Sequence, residues 1–285
     1  MTPARAAAGG RKIPPRRARR SGERRPTIDT DDPRYWEIFF EVHTGLPREA
    51  PGDPDSTLRA LGLIPELPPV PKTLDLACGP GAAVPLLARE TGARVVGLDL
   101  HAPFLQEMRE RARQEGLGAR AVGVHGNMEA LPFAPDSFDL VWCEGGLYNA
   151  GFRRGLEICQ EVLKSGGHLA ATEAVWLVSD PDEEVRRWWQ SEYPGITSIQ
   201  ECVRVVQETG LTLVGHFTLP GSAWWEYYRP IEVRLAELRK KHAGDRRALE
   251  LLDEHEVEID MYRRFGHCYG YEFFVCGKAP MRQSA

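Results

Sequence analysis

From residue 72 onward the chain alternates short runs of β-branched and apolar residues with longer amphipathic ones, the pattern of a parallel sheet wrapped by helices. Seven runs read as strands: Lys72-Thr-Leu-Asp-Leu-Ala-Cys78, Arg94-Val-Val-Gly-Leu-Asp-Leu100, Arg120-Ala-Val-Gly-Val-His125, Phe138-Asp-Leu-Val-Trp-Cys143, His168-Leu-Ala-Ala-Thr-Glu-Ala-Val175, Leu211-Thr-Leu-Val-Gly-His-Phe217 and Tyr271-Glu-Phe-Phe-Val-Cys276. Helices are expected between them near 82–91, 102–115, 152–163 and 199–209. Glycines able to take positive φ punctuate the pattern: Lys164-Ser-Gly-Gly167 and Glu208-Thr-Gly210 are expected to end helices, and Gly116 and Gly118 to do the same after the second helix. Three segments fall outside this alternation and read as a lid. Residues 30–70 hold the aromatic helix candidate Tyr35-Trp-Glu-Ile-Phe-Phe-Glu-Val-His43 and a Pro/Gly-rich connection, residues 176–198 hold Trp188, Trp189 and Tyr193, and residues 221–266 hold Trp224-Trp225-Glu-Tyr-Tyr228 and one long charged helix pattern from Ile231 to Phe265.

Length and composition narrow the class. A chain of 285 residues with 42% hydrophobic content can bury one large core, so residues 30–285 are expected to form a single α/β domain with lid additions. No apolar run reaches the roughly 18–20 residues that span a bilayer, and the basic amino terminus has no apolar stretch after it, so a cytoplasmic protein without membrane contact is expected. Six scattered cysteines without a Cys-x-x-Cys pair fit reduced thiols rather than disulfides or a structural metal. Residues 1–26 carry eight arginines and Lys12 against Glu23 alone, so the body is more acidic than the net charge of −5 suggests. That acidity disfavours a broad nucleic-acid surface. The Arg-rich stretch, with its Pro, Gly and Ala content, reads as a disordered tail over residues 1–29.

The first strand runs into Asp75-Leu-Ala-Cys-Gly79-Pro-Gly81, a glycine-lined turn with a helix directly after it. Such a turn lets a ligand approach backbone where a side chain would collide. A dinucleotide fingerprint needs a third glycine, and Val84 stands there instead. A carboxylate at Asp75 repels a pyrophosphate but suits the ammonium of a methionine moiety. Asp99, at the end of the second strand, is placed to accept hydrogen bonds from two ribose hydroxyls, with Leu100 beside it. After the third strand, Asn127 and the following amide suit an adenine edge while Met128 packs on the ring. Together these positions favour S-adenosylmethionine over NAD, with Asp75, Ala77, Cys78, Gly79, Gly81, Asp99, Leu100, Asn127, Met128 and Glu144 as the cofactor set.

Methyl transfer is an in-line displacement at an activated sulfonium, so alignment and exclusion of water matter more than a strong base. Candidates for proton handling stand at strand ends: Glu144 and Tyr148 after the fourth strand, Glu173 within the fifth and His216 within the sixth. Glu173 is equally readable as a hydrogen-bonded structural acid, since a carboxylate in an apolar run is costly unless paired. A lone histidine is more often structural than a base, which weighs on His43 and His216 alike. Trp176, Trp188, Trp189, Trp224, Trp225, Tyr227 and Tyr228 are open to two readings, an aromatic cage for a cationic or planar acceptor or plain packing of the lid. His43, Tyr148, Trp176, Trp224 and Tyr228 are the candidates for acceptor contact.

Leu74-Asp-Leu-Ala-Cys-Gly-Pro-Gly81, Gly97-Leu-Asp-Leu100, Gly126-Asn-Met-Glu-Ala-Leu-Pro-Phe133, Ser137-Phe-Asp-Leu-Val141 and Val162-Leu-Lys-Ser-Gly-Gly-His-Leu169 resemble the successive motifs of class I methyltransferases dependent on S-adenosylmethionine. The resemblance implies a Rossmann-like seven-stranded sheet in the order 3-2-1-4-5-7-6 with the last strand antiparallel. Gly45-Leu-Pro-Arg-Glu-Ala-Pro-Gly52, Glu144-Gly-Gly-Leu-Tyr-Asn-Ala-Gly-Phe152, Tyr193-Pro194, Leu219-Pro220 with Trp225 and Tyr228, and Tyr269-Gly-Tyr271 resemble a bacterial subgroup whose acceptors are mostly uncharacterised. That subgroup usually has Gln-Gly at the positions of Glu49-Ala50, a departure expected to alter the acceptor site, and Asp at the position of Asn127.

The leading expectation is methyl transfer to a small molecule, because aromatic lid elements would enclose a compact acceptor. An RNA or protein methyltransferase holding its substrate with the basic tail, an NAD(P)-dependent oxidoreductase and a non-catalytic binding module are the alternatives. The long helix pattern also suits a homodimer contact.

Overall fold

The computed structural model describes residues 32–280; the expected disordered tail over residues 1–29 lies outside the described residues. Strands β1 (Lys72–Leu76), β2 (Arg94–Asp99), β3 (Ala121–His125), β4 (Phe138–Cys143), β5 (Leu163–Trp176), β7 (Leu211–Thr218) and β8 (Tyr269–Lys278) form one sheet in the order β3-β2-β1-β4-β5-β8-β7. The first five pair in parallel, and β8 runs antiparallel to both β5 and β7. This is the expected order, with one addition. A two-residue strand, β6 (Thr197–Ser198), pairs with Val175 and Trp176 at the end of β5.

Both faces of the sheet are covered, as a mostly parallel sheet requires. Alternate residues of each strand enter opposite layers. Leu140, Trp142, Ala170 and Phe273 join one core, which α3 (Val84–Thr91) and α4 (Ala102–Gln114) cover beside the lid helices. Val141, Cys143, Leu169 and Phe274 join the other, under α5 (Phe152–Val162) and α7 (Ile199–Glu208). All six cysteines are buried and free, and among the described residues no helix is long and apolar enough to cross a membrane.

Two local expectations need correcting. Lys164-Ser-Gly-Gly167 does not cap a helix with glycine: α5 stops at Val162, Leu163 already pairs with Phe138, and Gly166, at φ 76°, sits where the β4–β5 register shifts. A Cβ on Gly167 would fall 2.9 Å from the Asp139 carbonyl oxygen, so the glycines serve a bulge that brings the two backbones together. The helix pattern from Ile231 to Phe265 is also not one helix. It forms a hairpin of α8 (Gly221–Lys241) and α9 (Arg246–Phe265), broken where Asp245 accepts a hydrogen bond from the Ala248 amide (3.0 Å) and starts a new helix.

The amino-terminal addition positions the site. Asp32 caps α1 (Pro33–His43), which packs against α8 and α9. Gly45, at φ 80°, turns the chain into a strap that runs to Asp53, the N-cap of α2 (Pro54–Gly62). The strap is tied down at three points: Glu107 accepts from the Gly45 amide, Arg111 Nη1 donates to the Pro47 carbonyl (2.7 Å), and the Gly52 amide donates to the Ala223 carbonyl (3.1 Å).

Candidate active site

The turn after β1 holds three left-handed residues, Ala77 (φ 55°), Gly79 (φ 52°) and Gly81 (φ 77°). Glycine is required at 81, because a Cβ there would fall 2.3 Å from Cγ of Met108 on α4. Asp99 fixes the turn: its Oδ2 accepts from the Gly79 amide and its Oδ1 from the His101 amide, each at 2.8 Å. Above the turn lies the strap, with Glu49 Cγ only 3.0 Å from where a Cβ on Gly79 would stand. The space between is a cavity of about 570 Å³ counting its opening, bounded by Asp75, Asp99, Glu144, Arg48 and Glu49 with the turn itself.

This cavity carries an excess of negative charge. Asp75 is buried, and its carboxyl is pushed well above the usual carboxylate range, first by burial and then by the charges of Glu144 and Asp99. Glu144 is held rigidly: Thr57 Oγ1 donates to its Oε1 at 2.7 Å and the Trp142 indole at 2.9 Å, while Arg48 lies 3.7 Å from Oε2. Gly52 leaves room for that ion pair, since a Cβ there would meet Arg48 Nη1 at 1.9 Å. Arg48 and the amides leading into α3 are the groups suited to a carboxylate, and the acids suit a cation.

A second cavity, about 860 Å³ with its opening, lies behind the first and shares Glu49, Ala50 and Gly145 with it. Gly145, at φ 67°, passes so close to the strap that a Cβ on it would fall 2.2 Å from the Ala50 Cβ. Aromatic rings from α1, α6 (Glu183–Glu192), α8 and β8 line the second cavity, together with the carboxylates Glu49, Glu192 and Glu258. His43 Nδ1 lies 2.9 Å from Glu49 Oε2 and its ring stacks on Phe39 at 4.2 Å. Tyr228 donates its hydroxyl to Glu258 (3.1 Å), and Trp224 stacks on Tyr262 of α9 at 4.4 Å.

Of the expected cofactor contacts, the first cavity gathers Asp75, Ala77, Cys78, Gly79, Asp99 and Glu144. Gly81, Leu100, Asn127 and Met128 do not line it. Gly81 packs on Met108, Met128 is buried in the core, and Asn127 caps a short turn by accepting from the Glu129 amide (2.9 Å). Leu100 is 48% exposed beside Asp99. Of the expected acceptor contacts, His43, Tyr148, Trp224 and Tyr228 line the second cavity, whereas Trp176 lies outside both, paired with Tyr269 and Ser198 at the end of β5. Among the proton-handling candidates, Tyr148 lines the second cavity and Glu144 the first. Glu173 lines neither; it is buried in β5, where burial raises its pKa to about 8 against the smaller pull of the Tyr193 hydroxyl and the Ala174 amide. His216 is remote from both cavities, half-exposed on β7 with Nδ1 2.5 Å from Glu272. Glu49 and Ala50, the departure expected to alter the acceptor site, do line the second cavity. Sequence reasoning passed over Arg48, Glu192 and Glu258: Arg48 lies in the Gly45–Gly52 segment already singled out, whereas the other two sit in helices so rich in charge that nothing distinguishes them.

Residues 73–167 match the family described as a methyltransferase domain. This stretch is a methyltransferase domain. It spans β1 to the start of β5 and so contains the turn, Asp99 and Glu144. Methyltransferase GfsG of Streptomyces halstedii is 36% identical over 105 residues, 36% of this chain and 38% of that protein. A glycine/sarcosine/dimethylglycine N-methyltransferase of Actinopolyspora halophila is 33% identical over 147 residues, 49% of this chain and 26% of that protein. The chain thus spans well under two thirds of the length of these curated relatives. The fold likeness is broader: a methyltransferase from Geobacter sulfurreducens, solved with S-adenosyl-L-homocysteine, covers 84% of this chain and 97% of its own at a TM-score of 0.73 and 21% identity. The methyltransferase domain therefore has the class I, Rossmann-like architecture, and the lid segments lie outside the matched stretch.

Proposed function

We propose that the chain transfers the methyl group of S-adenosylmethionine to a small-molecule acceptor. The observation that carries this reading is the contact of two cavities across Glu49, Ala50 and Gly145, one built on the glycine turn of the methyltransferase domain and the other enclosed by aromatic rings. Asp75 and Glu144 suit the ammonium and sulfonium of the cofactor, Arg48 and the amides before α3 its carboxylate, and Asp99 its ribose, since each Asp99 oxygen keeps a lone pair beside the amide it already holds. The carboxylates around this cavity make a poor cradle for the pyrophosphate of a dinucleotide. When bound, S-adenosylmethionine supplies a methyl group on a sulfonium that gives it up to an acceptor lone pair while sulfur keeps the bonding electrons.

The chain's own residues do the rest. The strap and Gly145 set the line along which acceptor and methyl meet, and the aromatic walls keep water from the reacting atoms. Enclosure behind α6, α8 and α9 favours a compact acceptor over a polymer, and the acidic lining disfavours a phosphate backbone. Six buried free thiols fit action in the cytoplasm. The test is a transfer assay: cell extract incubated with the full chain and methyl-labelled cofactor should yield a labelled compound of low mass. Label appearing in RNA or protein instead would replace the small-molecule reading.

A further inference from the structure

His43 is set apart from the other residues of the second cavity by the placing of its two ring nitrogens. It is 3% exposed and lines the cavity from the end of α1. Nδ1 is shut off from water, 2.9 Å from Glu49 Oε2 on the strap. The N–H···O line between the two is bent, as catalytic contacts commonly are before a substrate seats. The other nitrogen, Nε2, is neither enclosed nor hydrogen-bonded by any described residue, so its lone pair meets the cavity. A carboxylate at Nδ1 fixes this tautomer and stabilises the imidazolium that forms when Nε2 takes a proton. The groups packed around the ring bring no competing positive charge. His255 on α9, with ring centroids 5.5 Å apart, is held neutral, its pKa lowered to about 3 by burial and then by the charge of His43. Burial pushes the Tyr227 hydroxyl on α8 well above its usual range, Phe39 stacks on the ring at 4.2 Å, and Glu192 and Glu258 complete the charged lining.

A base in this place serves an acceptor that is a poor nucleophile until it loses a proton, as a hydroxyl is, whereas an uncharged amine already offers its lone pair. The rings of Trp188, Trp224, Tyr227 and Tyr228 line the same cavity, and aromatic side chains pair with flat rings. We propose that the acceptor is a hydroxyl on a flat ring, with His43 Nε2 as the base that takes its proton and Glu49 as the residue that positions His43. The proposal rests on the reading of the chain as a methyltransferase. The hydroxyl proton passes to Nε2 as oxygen forms its bond to the methyl carbon and the carbon–sulfur bond breaks, the sulfur leaving with that electron pair as a neutral thioether. The acceptor ends as a neutral methyl ether, and the imidazolium returns its proton to water.

4-Nitrophenol, which turns yellow on losing its proton, probes the base in the full chain saturated with S-adenosylhomocysteine. At mildly acidic pH, where the free dye is largely colourless, the bound dye should be yellow, and His43→Asn should abolish that colour. In the extract assay the labelled methyl should sit on oxygen, and the rate should fall about tenfold per pH unit on the acid side. His43→Asn should slow transfer on the order of 100-fold or more, with its affinity for S-adenosylhomocysteine as the check on folding. Glu49→Gln should lower kcat about tenfold with little change in acceptor KM, and it carries the test if the first variant does not fold. Dye that does not bind or binds colourless, a yellow colour unchanged in both variants, or label on nitrogen, sulfur or carbon overturns the assignment and leaves methyl transfer standing. Failure of S-adenosylhomocysteine to bind removes both.

Discussion

Gly145 is the residue on which the two cavities depend. Its left-handed φ and the 2.2 Å approach of a would-be Cβ to Ala50 act together, so Gly145→Ala should lower unfolding stability by about 1–3 kcal/mol and weaken S-adenosylhomocysteine binding as the strap is pushed aside. Urea denaturation read beside a binding titration checks both, and an unchanged pair would mean the strap is not held there. Glu173 gives a prediction of another kind. In the folded protein its carboxyl keeps its proton to about pH 8, whereas in the unfolded chain it ionises near 4.5. Between those values the unfolded state binds fewer protons, so this group withdraws stability as pH rises from about 4.5 to 8 and adds no further change above that. Glu173→Gln lacks this titration, and its melting point should pull ahead of the unsubstituted protein's by several degrees at pH 8 and by much less at pH 5, given about 2–4 °C per kcal/mol for a domain of this size. Parallel melting curves across that range would show that Glu173 is already ionised in the fold. At this scale the sequence revealed acids next to glycines, because the strand-to-turn pattern places Asp75 and Asp99 without further information. It concealed Glu192 and Glu258, whose inward direction depends on how α6 and α9 pack.

At the scale of elements, the strap connects the acceptor cavity to the cofactor cavity, and its hold is polar. Arg111 on α4 donates to the carbonyls of Pro47 (2.7 Å) and Leu46 (3.4 Å) from a partly exposed position. Arg111→Ala should therefore raise the dissociation constant of S-adenosylhomocysteine by about three- to tenfold, consistent with the loss of roughly 1 kcal/mol, and speed amide exchange in residues 44–52 with little effect on the sheet. Equal exchange in the two proteins would place the strap's hold elsewhere. Local sequence signals located the helices of the core to within about two residues, and the glycines expected to end two of them, Gly116 and Gly210, do take positive φ there. The same signals misread Gly166-Gly167, where a strand bulge uses the glycines a helix cap would use, and ran α8 into α9 because the charge pattern continues through a break set by Asp245.

For the whole molecule, the alternation of strands and helices from residue 72 was enough to give the sheet, because short apolar runs buried on both faces and separated by amphipathic helices have few other solutions. The lid was legible only as a set of aromatic residues. Whether a tryptophan lines the cavity or packs beside it depends on contacts between distant segments: Trp224 reaches the cavity while stacked on Tyr262, and Trp176 does not reach it at all. The arrangement joins a methyltransferase domain to an acidic, aromatic chamber across one strap, and its central claim is that the acids at 75, 99 and 144 cradle an adenosyl sulfonium compound. The most direct measurement is calorimetric titration of the full chain with S-adenosylmethionine, S-adenosylhomocysteine and a nicotinamide dinucleotide in turn. The account predicts one site per chain for each of the first two, lost in Asp99→Ala, and no heat with the third; tight binding of the dinucleotide with silence from the other two would contradict it.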